Sequence, residues 1–236
     1  MMRALSRLSA VCFLFSFFFA GCGPFYRTVV TMEPVNTGDY AVASEEGYCF
    51  FEKAGVKVTL AFETRKKLEA VSEYINWNPY LNERRFFFTV FKLTVENTRQ
   101  DKIFIDTGKT VLLDGLGGQS NALTIDYFKT LYPVAAMIQP KSYPRTDLIY
   151  DKTIIYTEDY YRFNRVEKTL FVNGELYPGV KREGYIVFEQ IKQEAGNITV
   201  ILPGLTLNTN GTSEGVKLDE LKFKFLHKVS VKEATK

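Results

Sequence analysis

The chain reads as a mainly β protein, an antiparallel β-sandwich carrying a helical insertion. Three observations predict this. Apolar residues recur with a period of two: Val56, Val58, Leu60 and Phe62 alternate with Lys57, Thr59, Ala61 and Glu63. The runs are short and separated by Gly, Asn and Pro, the residues of turns. From about Thr146 to Thr169 the apolar spacing changes to three and four, which is helical and interrupts the strands.

Composition allows a real core. The 236 residues are 46% hydrophobic and 15% aromatic, more than a disordered chain carries, and suit one large domain or two small ones. Three cysteines exclude a disulfide-rich scaffold. His227 is the only histidine, which excludes His-based metal sites and makes any Ser-His-Asp mechanism depend on one residue. A net charge of +3 is too small to argue for nucleic acid as a partner. No metal site and no cofactor is expected.

The N-terminus carries an address. Arg3 and Arg7 form a positive segment, and residues 8–20 are an apolar stretch too short for the roughly 20 residues of a spanning helix. It ends in Phe19-Ala20-Gly21-Cys22. That ending resembles the lipobox of bacterial lipoproteins: a large aliphatic residue, two small residues and the lipid-bearing cysteine. Ala20, Gly21 and Cys22 match, and Phe19 stands where Leu is usual. By this resemblance residues 1–21 are a signal peptide, and Cys22 becomes the acylated first residue of the mature chain. An ordinary secretory signal with an incidental Cys22 is the alternative. Gly23 follows Cys22, where Asp commonly retains Gram-negative lipoproteins at the inner membrane, so the analogy favours the outer membrane. Loss of Arg3 and Arg7 leaves the mature chain nearly neutral.

Residues 22–38 read as a tether and 39–236 as the folded domain, with an insertion at about 127–172. Cys49, in Tyr48-Cys49-Phe50-Phe51, reads as a buried inert thiol rather than a reactive one. After the run at 56–62, Arg65 to about Tyr74 suits a short helix. Phe87, Thr89, Phe91, Leu93 and Val95 form the longest β-like run. Asn97 to Asp101 is a polar turn before the short strand Ile103–Ile105, and Thr110–Asp114 is another strand, closed by glycines. Pro133, Pro140 and Pro144 mark 133–145 as an extended loop. Ile155, Tyr156, Tyr160, Phe163, Val166 and Leu170 share a helical stripe between Thr146 and Thr169. Strands resume at Gly184–Gln190, Asn197–Leu202 and Leu221–Val231. In the last, His227 falls in phase with the apolar side and reads as structural.

The order of these pieces resembles bacterial secreted immunoglobulin-like domains of unknown function, many of them on lipoproteins. The matching residues are Phe91 to Asn97, then Leu113-Asp114-Gly115-Leu116-Gly117, then Tyr177-Pro178-Gly179 running through Gly184 to Phe188. The resemblance covers about residues 85–205, apart from the insertion. It implies an immunoglobulin-like fold and no active site, because such motifs maintain structure.

Chemistry is sparse. No His-Glu-x-x-His, Cys-x-x-Cys, Gly-x-Ser-x-Gly or Walker-type loop occurs, and Gly115-Leu116-Gly117-Gly118 reads as a turn. Glu158 and Asp159 are adjacent, so they do not face each other on a helix and read as solvated surface. The Tyr- and Arg-rich insertion is the candidate partner-binding surface, through Tyr156, Tyr160, Tyr161, Arg162 and Arg165, since both residue types are enriched at interfaces. Tyr143, Tyr150 and Arg145 extend it. Another envelope protein or a polysaccharide would be the partner; packing on its own sandwich is the competing role. The expected function is a non-enzymatic, lipid-anchored interaction or structural module of the cell envelope. The alternative is a ligand-binding or hydrolytic lipoprotein with a site between sandwich and insertion.

Overall fold

Strands with one apolar face bury it by packing sheet on sheet, and among the described residues this chain does so with two five-stranded sheets. The computed structural model describes residues 26–38, 40–43, 47–81, 88–133, 136–140, 152–203, 205–207, 216–217 and 219–233. The first sheet contains β2 (Ala41–Ala43), β3 (Tyr48–Lys53), β4 (Val56–Phe62), β5 (Thr89–Asn97) and β12 (Lys181–Phe188). They bond in the order β12-β5-β4-β3-β2. The second contains β1 (Tyr26–Pro34), β7 (Val111–Asp114), β8 (Gln119–Asn121), β13 (Asn197–Leu202) and β16 (Leu221–Glu233). Its order is β1-β16-β13-β7-β8. A smaller sheet joins β11 (Gly174–Leu176), β6 (Ile103–Ile105), β14 (Thr206–Leu207) and β15 (Val216–Lys217) in the order β11-β6-β14-β15.

Six of these strands carry the immunoglobulin connectivity. Taken in chain order, β4, β5, β7, β12, β13 and β16 occupy the places of strands A, B, C, E, F and G. Their neighbours are A-B-E in one sheet and G-F-C in the other. The inner residues of both sheets form one core. Leu60, Phe91 and Phe188 from the first meet Val200, Phe223 and Phe225 from the second, and the small sheet adds Ile103, Ile105 and Leu176. Phe91 lies 5.1 Å from Phe225 across the sandwich and 6.1 Å, edge-on, from Phe188 beside it.

The turns are fastened by the residues that carried the family resemblance. Asn97 is fully buried: its amide donates to the carbonyls of Asp101 and Leu176, at 2.9 and 3.0 Å, and its Oδ1 accepts from the Arg99 N–H. Its backbone carbonyl accepts from Gly179, so one side chain and its own peptide join two turns. Asp114 Oδ1 accepts from the N–H groups of Leu116 and Gly118, and Gly117 sits at φ +85. At Gly184 a Cβ would come within 2.4 Å of the Phe171 Cα, so only glycine lets that chain segment cross β12.

Several expectations change. The tether expected over 22–38 contains strand β1. The helix expected from Arg65 to Tyr74 ends early, as α1 (Arg65–Glu69), where Asn78 Nδ2 and the Val71 N–H both bond the Leu68 carbonyl. A 3-10 turn follows at Ile75–Trp77. The extended loop expected over 133–145 includes strand β9 (Ala136–Pro140), paired with β10 (Lys152–Tyr156). Of the helix expected from Thr146 to Thr169, residues 146–151 lie outside the described residues, Lys152–Tyr156 is strand because the β-branched run Thr153-Ile154-Ile155 favours it, and the helix runs from Glu158.

By backbone contacts the chain divides into two compact units, Thr31–Lys228 and a smaller one made of 1–30 with 229–236. The sandwich core lies in the first.

Candidate functional site

Strand alternation leaves β5 and β12 with apolar residues on both faces. Phe91 and Phe188 point into the sandwich, while Val90 and Val187 point away from it and are still fully buried. A helical layer covers them. It consists of α1, the segment around Tyr80, α2 (Ile125–Leu131) and α3 (Glu158–Thr169). Leu68, Tyr80, Phe128, Tyr132, Phe163 and Val166 form a second core with the two valines. Burial of apolar surface contributes roughly 25 cal/mol per Å² to holding this layer on the sheet.

Polar contacts set its register. The Tyr80 hydroxyl bonds Thr169 Oγ1 at 2.5 Å, the Tyr132 hydroxyl donates to the Pro79 carbonyl, and the Phe171 N–H donates to the Tyr185 carbonyl. Burial raises the Tyr80 phenol well above its ordinary range and pushes Tyr132 up to about 12, so both stay protonated donors. Thr157 caps α3 by accepting from the Tyr160 N–H, and Glu158 and Asp159 in the first turn suit the helix dipole.

The structure brings together four of the five residues singled out in the insertion, by placing them on α3. Tyr156 lies at the end of β10, and its side chain is outside the described residues, as are Tyr143, Arg145 and Tyr150 in full. Tyr160 is half-buried and meets Tyr161 edge-on at 5.6 Å. Arg162 is held by its own surroundings. Its Nε donates to the Asn76 carbonyl at 2.7 Å, it pairs with Asp159 at 2.8 Å and Glu158 at 3.3 Å, and it lies over the Tyr132 ring. Glu158 and Asp159 thus serve as partners of Arg162. Arg165 is exposed, and its carbonyl accepts from Thr169.

Sequence reasoning missed the partner of Tyr161. Trp77, from the 3-10 turn far away in the chain, stacks on it at 4.6 Å with an interplanar angle of 15°, and Tyr74 lies against Trp77 at 4.4 Å. Tyr74 is 52% exposed and Tyr161 37%. The signal was the lone tryptophan before Asn78-Pro79, in the segment that interrupts the strand pattern. The result is a short surface ladder of aromatics, anchored beneath by Arg162 and the second core.

Two clefts border this framework. One, of about 410 Å³, lies where the insertion meets the sandwich and is lined by Thr107, Leu123, Glu167, Phe171, Asn173 and Tyr185 among others; Glu167 is its only carboxylate among the described residues. The other, of about 900 Å³, is an open groove by Tyr40, Phe50, Phe51, Leu221 and Phe223. Cys49 is fully buried, with its thiol directed at the Leu60 carbonyl and pushed up to about 12 by burial, as an inert thiol requires. Glu63 is also buried, which raises its carboxyl, while Lys67 and Lys92 pull it back. His227 is buried on the core side of β16 and its Nδ1 has no hydrogen-bond partner among the described residues. No group of three or more His, Cys, Asp or Glu could hold a metal ion among the described residues. No helix among them is long and apolar enough to cross a membrane.

Fold and site together define an immunoglobulin-like β-sandwich with a helical layer on one sheet. No known protein family matches the sequence, and no curated protein does either. Among solved structures the chain is similar to a functionally unknown protein from Listeria monocytogenes EGD-e, at 12% identity over 86% of this chain and 88% of that one, with a TM-score of 0.35.

Proposed function

We propose that this protein is a non-enzymatic, lipid-anchored module of the bacterial cell envelope that docks another envelope protein on its helical layer. The Ala20-Gly21-Cys22 ending of the apolar leader supports the anchor. The observation that carries the docking reading is the Tyr74, Trp77 and Tyr161 ladder, two of whose rings stay exposed although the core beneath them is complete. Aromatic residues beside a fixed arginine are the usual anchors of protein interfaces. A protein partner fits better than a polysaccharide, because the stack already consumes one face of Trp77 and one of Tyr161, the surfaces on which a sugar ring would lie.

Photo-crosslinking in cells tests this. A crosslinking amino acid at position 74 or 161 is expected to trap a discrete protein adduct, and the same probe at Thr199, on β13 of the opposite sheet, is expected not to. Equal labelling at all three positions, or none at the ladder, contradicts the reading.

A further inference from the structure

The path of β1 bears on how an anchored chain would sit on its membrane. The strand starts at Tyr26, and it belongs to a sheet whose neighbouring strand is β16. Val35 donates to the Lys224 carbonyl, and Glu33, two residues earlier, pairs with Lys228, four residues later. The two strands therefore run antiparallel, which brings the first residues of β1 beside the last residues of β16. Among the described residues of the smaller compact unit, 26–30 belong to β1 and 229–233 to β16.

Only Gly23, Pro24 and Phe25 separate Cys22 from the strand. An extended chain spans at most about 3.6 Å per residue, so roughly 14 Å separates the Cys22 Cα from that of Tyr26 at full stretch. The headgroup layer of one leaflet takes up about 5–8 Å of that distance, since a bilayer of about 30 Å hydrocarbon thickness is about 40–45 Å thick overall. A lipid on Cys22 would then keep Tyr26 within roughly 10 Å of the headgroup surface. Val231, 67% exposed on β16, lies on the part of the strand that pairs with the start of β1.

We propose that the paired start of β1 and end of β16 form a membrane-facing pole, held against the lipid headgroups by the leash of Gly23, Pro24 and Phe25. The proposal rests on acylation of Cys22, and it adds an orientation and a contact surface to that reading.

The test uses the full-length lipidated protein reconstituted in phosphatidylethanolamine–phosphatidylglycerol vesicles. Val231→Cys, and separately Ser230→Cys, is labelled with a fluorophore, and a fraction of the lipid headgroups carries an acceptor dye. Cys49 is buried and stays unlabelled. Strong energy transfer is expected from both positions. Insertion of about 20 Gly/Ser residues between Gly23 and Pro24 is expected to cut it by about half or more, because such a linker spans roughly 25 Å on average. Protein that floats with the vesicles and shows the same transfer with and without the linker overturns the pole and leaves the anchor standing. Protein that does not float overturns both.

Discussion

At the scale of single residues, two buried polar groups carry opposite lessons. Asn97 is satisfied on every side, with its amide on two carbonyls and its oxygen on an N–H. Asn97→Ala would strand buried carbonyls that each cost about 1–3 kcal/mol when unpaired. A loss of about 2–4 kcal/mol in unfolding free energy is expected in urea titrations. His227 is the reverse case: burial lowers its pKa, a bond to the Gln193 carbonyl pulls it back, and Nδ1 is left without a partner among the described residues. A lowered folded pKa means that the unfolded chain binds the proton more readily below about 6.5. Stability contributed by neutral His227 is therefore complete above that pH and is lost as pH falls from it through the folded pKa. Thermal melts of the wild type are expected to drop over that range, and those of His227→Leu to drop less. Identical slopes for the two would contradict the assignment.

At the scale of elements, the sandwich strands were legible and the helical layer was only half so. Val56–Phe62, Ile103–Ile105 and Asn197–Leu202 are strands at the bounds their alternation predicts, because a half-buried strand writes its burial into a period of two. Within 146–169 the helical pattern fails at 152–156, where Ile154, Ile155 and Tyr156 fit both a helical stripe and a strand run. β-Branching decides for the strand, and the Thr157 cap begins the helix. The Trp77–Tyr161 stack could not be read at all from local pattern, since it joins residues that only the tertiary fold brings together. That stack and the Arg162 bond to Asn76 tie α3 to the 3-10 turn. Trp77→Ala is expected to speed hydrogen exchange in residues 158–169 while leaving β5 and β13 protected, with a stability loss of about 1–3 kcal/mol. Unchanged exchange in α3 would show that its packing on Val90 and Val187 suffices without the stack.

For the whole molecule, the fold accounts for its own residues. Two sheets close over Phe91 and Phe225, a helical layer closes over Val90 and Val187, and Cys49 is sealed between strands. What this framework would present to a partner is the aromatic ladder, and what would fix it in place is the cysteine after the apolar leader. The two are independent, since one rests on tertiary stacking and the other on a linear motif. The motif carries the larger claim, because it decides whether the domain works at a membrane. Feeding cells a labelled fatty acid and then isolating the protein tests it directly. Label is expected in the wild type and none in Cys22→Ala, whereas label persisting in Cys22→Ala, or absent from the wild type, would contradict acylation of Cys22.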